Sequence, residues 1–555
     1  MTANDTFKMT RAVLAGCPEL GTGNVLSTLI ASGVALDRPT LTFDSGVDGH
    51  APWQPLTLGQ LDRCVAARAA WLSDRDIGPR DLVAIYSRSA ADQVLLFLAL
   101  ARLGAIAALI NGNIGGEVAA AYIQRLRAAG VLTDAAGGEQ LAGRDLSGAR
   151  LLGRAAECGA GDPASAPAVY RHHPDDPVSI THSSGTTGVP KGVLHSHRTL
   201  FVSNRHRLKL PPARGVERTL SALPAAHAAT IITVNLALCN GAELLALSGQ
   251  DGESVAEAID RWRPSAVFGF AITWTDFARI DLSRRDLSSV RLWWNTGDCA
   301  HEAHIRRLIS FGHHDVMTSD GLVQRKGSLF IDGLGNTEIG QSPFFITHHP
   351  DSDRYDRCIG RPHSHLQVAV LGPGGEELPP GEAGHLGVRA ESLMPGYWND
   401  SLATYQTYLR GWYLPGDQVY RDEDGYFYHL DRTTDAVDLG NGARLYTAMT
   451  EERILARCHD VADCTVVAVR AGGRVVTDLL LELMPEADDS AGLRADVLAA
   501  LDDRAAATVR HVIVTSGGKI PTGPTGKVRK LALRELHRQP ERDAVAPGGE
   551  ETGGS

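Results

Sequence analysis

The feature of this chain that most restricts its fold is the alternation of two apolar patterns. Short runs rich in β-branched residues, which predict buried strands, recur between longer segments whose apolar spacing is helical. Three such runs are LVAIYS (82–87), SAVFGF (265–270) and CTVVAV (464–469). Helices and strands that alternate in this way are typical of α/β layers built on largely parallel sheets. The sequence therefore predicts an α/β fold.

Length and composition exclude several classes of protein. A chain of 555 residues exceeds one ordinary hydrophobic core, so two or more domains are expected. Its 43% hydrophobic and 21% charged residues are typical of a soluble globular protein, and a net charge of -11 argues against a nucleic-acid partner. The start has no apolar core of signal-peptide length, and no later run has the length of a membrane span. We therefore expect a cytoplasmic protein without a membrane partner.

The apolar pattern changes between residues 365 and 430. The stretch HLQVAVLGPGGEELPPGEAGHLGVR (365–389) contains hairpin turns rich in Pro and Gly, which predict a β-rich subdomain. We predict an N-terminal domain over 1–431, a C-terminal domain over 432–540 and a disordered tail over 541–555. The tail is predicted because the chain ends in RDAVAPGGEETGGS, which is polar and rich in glycine.

One loop looks built to bind phosphate. THSSGTTGVPKG (181–192) follows the strand-like segment PVSITH (177–182). It is not the common nucleotide loop G-x-x-x-x-G-K-[ST], because the residue five positions after Gly185 is Pro190 and Lys191 is not followed by Ser or Thr. Glycines let the backbone approach an anion closely, while backbone N–H groups, hydroxyls and a lysine bind its oxygens. The candidate phosphate-binding residues are Ser183, Ser184, Gly185, Thr186, Thr187, Gly188 and Lys191.

Later segments carry single residues suited to nucleotide chemistry. Thr337 and Glu338 follow a glycine turn in DGLGNTEIG, and a carboxylate beside a hydroxyl suits Mg²⁺, which takes one or two protein oxygens. Asp417, in GWYLPGDQVY, presents a carboxylate that can accept both hydroxyls of a ribose. Arg432 lies downstream of it, and Lys527 lies on a turn in GPTGKVRK near the C-terminus. Taken singly, each is more typical of an ordinary surface residue.

In this order, these segments resemble the adenylate-forming superfamily of acyl- and aryl-CoA synthetases, peptide-synthetase adenylation domains and luciferases. SSGTTGVPKGVLHSH (183–197) is an almost complete match to the phosphate loop of that family, and residues 56–72 and 80–111 resemble its N-terminal helices and strands. The resemblance implies a large N-terminal α/β region with stacked sheets and a small, mobile α+β C-terminal domain. It also implies that the oxygen of an acid attacks the α-phosphorus of ATP, giving an adenylate and pyrophosphate.

The resemblance further implies a role for each candidate residue. Thr186, Thr187 and Lys191 would hold the β- and γ-phosphates, Thr337 would touch the α-phosphate, and Glu338 would bind Mg²⁺. Asp417 and Arg432 would hold the ribose, and Lys527 would offset charge on the phosphates. Adenine would lie between the segment TGDCA, which contains Asp298, and the backbone of Asp332, Gly333 and Leu334. His227 would stand beside the acid pocket, although a lone histidine is more often structural.

The sequence departs from the family pattern around the expected hinge. The family usually reads GR-x-D-D-x-I-K-x-x-G-x-R-I, whereas this chain reads DRTTDAVDLGNGARLY (431–446). Thr434 stands where a hinge Asp or Lys is usual, and Asp438 replaces the lysine. In addition, Leu334 replaces the tyrosine that usually stacks on adenine.

This departure leaves two hypotheses for the acceptor. In the first, which we favour from the sequence, the adenylate passes to the thiol of CoA or of a carrier protein. In the second it passes to an amine, giving an amide or, when the acid is nitrite, a nitrogen–nitrogen bond; some CoA-ligase-like enzymes of bacterial biosynthesis diazotise arylamines in this way. A nucleotide-binding regulatory protein without chemistry is the alternative outside enzymes.

The acid pocket is predicted to be aromatic. FGFAITWTDF (268–277) and WWNTGDC (293–299) supply several aromatic side chains, and DGLGNTE is close to the DGIGSTE type of benzoate-like CoA ligases. A small aromatic acid is therefore favoured over a long fatty chain. Trp293 and Trp294 are predicted to be core residues of a strand, and Asp298 either recognises an amine or caps a turn.

Overall fold

The computed structural model describes residues 11–183, 189–211, 215–319, 321–440, 442–515, 520–521, 523 and 528–538. The described chain divides into two compact units, of which the first ends at Thr433 and the second begins at Thr434. Both units combine helices with sheets, so the predicted α/β class is confirmed.

One sheet of the larger unit has seven strands, five of them parallel. Its strand order is Gly396–Tyr397, Gly192–Ser196, Pro177–His182, Ile106–Asn111, Leu82–Ser87, Gly130–Thr133 and Arg150–Arg154. The predicted strand LVAIYS is fully buried within this sheet and pairs in parallel with the strands on both sides. The segment PVSITH is also a strand, as predicted, and Ser183 follows its carboxyl end.

The helix Ala90–Leu103 shows how local sequence sets the limits of an element in this sheet. Ser89 caps its first turn by accepting a hydrogen bond from the backbone of Asp92, and Gly104 ends it in the left-handed conformation at a φ of 74°. The chain then enters the strand Ile106–Asn111 directly. The apolar run between residues 94 and 110 therefore forms a buried helix followed by a strand, because the glycine interrupts it.

The second sheet of the larger unit begins as a parallel sheet. The parallel neighbours are Pro39–Phe43, Glu243–Ala246, Arg218–Ser221, Ala266–Phe270, Leu292–Thr296 and Leu329–Asp332, with Leu56–Thr57 antiparallel at the edge. Phe270, Thr296 and Asp332 end adjacent parallel strands, so they reach the same edge of the sheet. In open α/β sheets this carboxyl edge is where ligands bind.

The same sheet continues through antiparallel strands. These are Phe344–His348, Cys358–Pro362, Phe427–Arg432, Asp417–Arg421, Gly384–Arg389, Trp412–Tyr413 and Tyr408–Leu409, with Gln367–Leu371 paired to Gly384–Arg389. The Pro- and Gly-rich turns of the sequence connect several of them. This β-rich part follows the segment DGLGNTEIG in the chain and carries Asp417 and Arg432 on paired strands.

Helices cover both sheets, and one two-stranded hairpin stands apart. The other helices of the larger unit are Val25–Ala31, Leu58–Ser73, Gly116–Leu126, Ala135–Leu141, Val202–Leu208, Ala228–Asn240, Gly252–Trp262, Ala271–Arg279, Glu302–Ile309 and Ser401–Gln406, with 3₁₀ turns at Ala155–Ala160, Pro163–Ser165 and Thr199–Phe201. The hairpin pairs His313–Thr318 with Gly321–Lys326. Across the described ranges, every helix is too short or too polar to cross a membrane.

The smaller unit is built on three strands. Val461–Ala471 pairs antiparallel with Arg474–Leu483, which pairs in parallel with Val509–Val514. A hairpin of Val437–Gly440 and Ala443–Leu445 precedes them, and the helices are Thr447–Arg457, Ala491–Ala499, Asp503–Ala506 and Lys530–His537. The predicted strand CTVVAV lies inside the first of the three strands and contributes Val467 and Val469 to the core of this unit.

Candidate functional site

A cavity of about 1150 Å³ opens in the larger unit, at the carboxyl edge of the second sheet. Phe270, Thr296 and Gly297 line it where two parallel strands end. Seven predicted site residues also line it, namely Ser183, Lys191, His227, Gly333, Thr337, Glu338 and Arg432. The predicted residues Ser184, Gly185, Thr186, Thr187, Gly188 and Lys527 lie outside the described residues.

His227 and Thr337 form a hydrogen-bonded pair in this cavity. His227 begins the helix Ala228–Asn240, and its Nδ1 accepts a hydrogen bond from the backbone N–H of Ala229 at 3.1 Å. In the neutral imidazole the proton is therefore on Nε2, which lies 3.2 Å from Oγ1 of Thr337. The ring packs edge-on against Phe270, with centroids 5.0 Å apart. These contacts fix both the tautomer and the orientation of the imidazole.

Glu338 is a buried carboxylate with one oxygen engaged. It is only 8% exposed, and its Oε1 accepts a hydrogen bond from the hydroxyl of Tyr397 at 2.8 Å. Burial and the neighbouring Glu338 raise the pKa of Tyr397, so the phenol keeps the proton that it donates. Lys191 places its ammonium 4.9 Å from the centroid of the same aromatic ring. Lys191 and Glu338, which belong to two distant segments of the chain, thus both contact Tyr397.

The carboxylate of Glu338 fits a hard divalent cation. Its second oxygen has no hydrogen-bond partner among the described residues, and the residue lines the cavity. No cluster of three or more His, Cys, Asp or Glu able to hold a metal occurs in the part of the chain that the structure describes. One protein carboxylate is nevertheless sufficient for Mg²⁺ that is bound largely by water and phosphate oxygens.

Asp417 and Arg432 face each other across two antiparallel strands. Oδ1 of Asp417 accepts hydrogen bonds from Arg432 at 2.9 Å and from Nε2 of His429 at 3.1 Å. Burial acts to raise the pKa of Asp417, but the charge of Arg432 and the bond from His429 outweigh it, so the pKa lies below its ordinary value. Asp417 is therefore ionised at neutral pH. Arg432 lines the cavity, and Asp417 stands behind it.

Asp332 organises the loop at the sheet edge. It is buried, and its carboxylate accepts hydrogen bonds from the side chain of Asn295 at 2.5 Å and from the backbone of Gly333 at 2.9 Å. Burial outweighs these bonds and raises its pKa to about 6. Leu334 is also buried and bridges to Gly297. The adenine-side segments predicted from the sequence are thus adjacent, although neither side chain lines the cavity.

Asp298 occupies the turn after the strand Leu292–Thr296. Its Oδ1 accepts a hydrogen bond from the backbone N–H of Cys299 at 2.9 Å and lies 3.6 Å from the guanidinium of Arg357. Of the two hypotheses for this residue, a turn cap and an amine-binding group, these contacts match the turn cap.

Sequence reasoning missed part of the cavity wall. Trp293 is a fully buried core residue as predicted, whereas Trp294 is only partly buried: it packs against the core by stacking on Phe268 at 4.8 Å and also lines the cavity. The two tryptophans differ because successive side chains of a strand point to opposite faces. A group of basic side chains, His206, Arg207, His363 and His365, was also missed. The basic residues of this group are clustered in the segments RHRLK (205–209) and RPHSH (361–365), and this clustering is the sequence feature that could have indicated them.

Comparison with known proteins identifies what this chain is similar to. A family model described as AMP-binding enzyme matches residues 33–398. The 3-aminoavenalumate diazotase of a Streptomyces species is 42% identical over 96% of this chain and 99% of its own length. The feruloyl-CoA synthase of an Amycolatopsis species is 28% identical over 86% of this chain and 93% of its own. A crystal structure of the anthranilate CoA ligase AuaEII with anthranoyl-AMP superposes with a TM-score of 0.79 at 19% identity, covering 94% and 98% of the two chains.

Proposed function

Since this chain belongs to the AMP-binding enzyme family, and is thereby an ATP-using, AMP-forming acid ligase, we propose that it is a diazotase: it adenylates nitrite and transfers the nitrosyl group to an arylamine. The observation that carries the proposal is the 42% identity with a diazotase over 96% of the chain, which far exceeds the 28% identity with a CoA ligase. The aromatic wall of Phe268, Phe270 and Trp294 supports an aryl substrate.

The proposed reaction has three steps that balance in atoms and electrons. A nitrite oxygen forms a bond to the α-phosphorus of ATP, and the bond from that phosphorus to the bridging oxygen breaks, which releases pyrophosphate. The lone pair of the arylamine then attacks the nitrite nitrogen, the N–O bond to AMP breaks with its electrons on AMP, and the amine loses a proton. The resulting N-nitroso amine rearranges to a diazohydroxide, takes up a proton and loses water to give the diazonium ion.

The electrostatics of the cavity support two anionic substrates. Its cationic lining residues are Arg125, Lys191, Arg207, Arg361 and Arg432, whereas Glu338 is the one acidic lining residue among those described. A concave site lined by one sign of charge raises the local concentration of ions of opposite sign. We propose that Lys191 and the loop residues Ser183 to Gly188 bind the β- and γ-phosphates, and that Asp417 and Arg432 hold the ribose.

His227 and Thr337 are proposed to act at the α-phosphate. The Nε2–H of His227 is directed at Oγ1 of Thr337, so the hydroxyl proton of Thr337 is free to point at another acceptor in the cavity. A donor that is held in place before the reaction stabilises charge as it develops, without reorganisation. Phe270 supports this function by holding the imidazole plane.

Glu338 is proposed to hold Mg²⁺ through the oxygen that Tyr397 does not engage. When bound there, the cation would supply charge neutralisation for the phosphates. Tyr397 keeps the carboxylate oriented by donating to its other oxygen. Lys527, which the sequence predicts to supply a further charge at the phosphates, lies outside the described residues, and the mobility of the C-terminal region remains a prediction.

Transfer to CoA is the second candidate, and the similarity to feruloyl-CoA synthase favours it. The amine acceptor is favoured by the departure of the sequence from the family pattern around the expected hinge, at Thr434 and Asp438. Asp438, which replaces the usual lysine, accepts a hydrogen bond from the backbone of Gly440 at 2.8 Å and so caps its own turn. Arg534 donates to the carbonyl of Thr434 at 2.7 Å and pairs with Asp435 at 3.1 Å. Of the two altered residues, Asp438 thus uses its side chain to cap a turn of the smaller unit, whereas Thr434 contributes its backbone carbonyl to the bond with Arg534.

The proposal is tested by identifying both the acid that is adenylated and the acceptor to which the activated group passes. Exchange of labelled pyrophosphate into ATP is measured with nitrite and, in parallel, with benzoate, ferulate and cinnamate. Mass spectrometry with ¹⁵N-nitrite and an arylamine then detects the labelled diazonium ion after trapping with a phenol. We expect exchange with nitrite and one ¹⁵N in the trapped azo product. If an aryl acid supports exchange and is rapidly converted to its CoA thioester, while nitrite supports no exchange, the diazotase proposal is wrong and the chain is a CoA ligase.

A further inference from the structure

The cavity extends beyond the nucleotide-binding residues to a second polar group of side chains. We call His206, Arg207, His363 and His365 the distal cluster. The first two lie on the helix Val202–Leu208, and the other two follow the strand Cys358–Pro362. No step of the proposed adenylation uses them.

An aromatic wall connects the two ends of the cavity. Phe270 packs against His227, and Phe268 lies on the same face of the same strand, two residues deeper. Two residues of a strand correspond to about 7 Å. Trp294 pairs with Phe268 on the neighbouring strand, and the two rings stack with centroids 4.8 Å apart. The guanidinium of Arg207 lies over the ring of Trp294, 4.2 Å from its centroid. The distal cluster is therefore separated from His227 by a flat apolar surface.

Arg207 differs from the other arginines that line the cavity. Arg125 pairs with Asp400, Arg432 pairs with Asp417, and the guanidinium of Arg361 donates to the carbonyl of Asp424 at 2.7 Å. In contrast, the guanidinium of Arg207 makes neither an ion pair nor a hydrogen bond with any residue that the structure describes; its contact is the ring of Trp294. Burial lowers its pKa to about 10, so it remains charged at neutral pH. A partly buried cation without an anionic partner favours the binding of an anion.

The three histidines supply uncharged polar groups around this cation. The rings of His206 and His365 stack at 4.1 Å, and His363 lies 5.5 Å from His365. Burial and the charge of Arg207 lower the pKa of His363 to about 3, and burial with neighbouring positive charge lowers those of His206 and His365. All three are neutral at pH 7. Nε2 of His365 lies 3.4 Å from Oε1 of Gln341, so the neutral ring carries its proton on Nε2 and its buried Nδ1 is an acceptor, which suits a donor group of a ligand and not a carboxylate oxygen.

We propose that the distal cluster binds the carboxylate of an aminoaryl carboxylic acid, whose ring lies along Phe268 and Trp294 and whose amine points toward His227 and Thr337. The inference rests on the proposed diazotase function. A single net positive charge with neutral imidazoles matches a monoanion better than a phosphate dianion, and a guanidinium binds a carboxylate through two parallel hydrogen bonds. The carboxylate is thus a recognition group that is never adenylated. A CoA ligase would need the opposite orientation, with the carboxylate at the α-phosphate.

The test compares acids with their uncharged esters. Steady-state rates with ATP and nitrite are measured for 3-aminobenzoate, 3-aminocinnamate and the methyl esters of both, in the wild type, R207Q and R207K. We expect the wild type to prefer at least one acid over its ester, and R207Q to raise the KM for that acid by about 10- to 100-fold, as for loss of a charge-assisted hydrogen bond. R207K should retain part of the preference, because it keeps the charge and loses the planar fork.

Two controls separate the possible failures. R361Q removes another cavity-lining cation, whose guanidinium binds a backbone carbonyl, and is expected to keep the acid-to-ester ratio. Nitrite-dependent pyrophosphate exchange without an arylamine reports folding and adenylation in every variant. If the wild type shows no such exchange, the proposed diazotase function fails. If exchange is present but the wild type shows no preference for either acid, or R207Q preserves the acid-to-ester ratio, the carboxylate site is overturned.

Discussion

Nε2 of His227 lies 3.2 Å from Oγ1 of Thr337, a contact between residues 110 positions apart in the chain. Local backbone contacts position both residues of this pair. The backbone N–H of Ala229 donates to Nδ1 of the imidazole and so leaves the proton on Nε2, while Thr337 begins a turn that is closed by a hydrogen bond from the backbone N–H of Gly340 to its carbonyl. The pair is therefore a preorganised donor at the carboxyl ends of the parallel strands.

We predict that removal of this pair slows adenylation more than it weakens ATP binding. H227A and T337A should each lower kcat of nitrite-dependent pyrophosphate exchange by about 10²–10³-fold, the usual cost of one preorganised donor. T337S, which keeps the hydroxyl, is the matched control and should retain most activity. Equal losses of kcat in T337S and T337A would show that the hydroxyl has no such role.

We predict that Glu338 sets the requirement for Mg²⁺. E338Q should raise the Mg²⁺ concentration for half-maximal exchange by about tenfold or more, because a neutral amide replaces the buried carboxylate that hard cations prefer. Y397F removes only the hydroxyl that orients the carboxylate and should shift the same midpoint far less. A Mg²⁺ titration of exchange in the three proteins measures this. Identical midpoints in E338Q and the wild type would exclude Glu338 as the ligand.

We predict that Asp332 gives stability a specific pH dependence. Its pKa is raised by burial to about 6, above the value of about 3.9 of an unfolded aspartate. The unfolded state thus releases this proton first as pH rises, so the contribution of Asp332 to stability falls between about pH 4 and pH 6, by about 3 kcal/mol in all. D332N does not titrate. The difference in Tm between wild type and D332N should therefore change in favour of D332N as pH rises through this window, and a constant difference would contradict the prediction.

We predict that Trp294 contributes to aryl binding rather than to adenylation. W294A should raise the KM of the arylamine by about tenfold, since the ring supplies stacking area and holds Arg207. Nitrite-dependent exchange without arylamine is the internal reference. W293A is a contrasting variant: Trp293 is fully buried and bonded to Ser328, so its loss should lower Tm instead. An unchanged KM in W294A would remove Trp294 from the binding surface.

Local patterns predicted the strands correctly wherever burial on both faces left a continuous apolar run. LVAIYS, SAVFGF and CTVVAV are all strands, because such runs in short β-branched segments have few other stable arrangements. The sequence did not distinguish the environment of Trp294, which lines the cavity, from that of the buried Trp293. A tryptophan pair in a strand gives no indication of which face meets the core and which meets a cavity; that depends on the elements packed against the sheet.

The sequence alone determined the chemistry of the larger unit, since the order of the phosphate loop, Thr337, Glu338, Asp417 and Arg432 identifies an adenylating enzyme. Adjacent residues and fixed motifs suffice for that conclusion. Only the tertiary structure brought His227 to Thr337 and assembled Arg207 with His363 and His365, because these contacts join segments far apart in the chain. Such contacts depend on which strand ends meet at one edge of the sheet. The fold therefore decides how a substrate is oriented, while the motifs decide what happens to ATP.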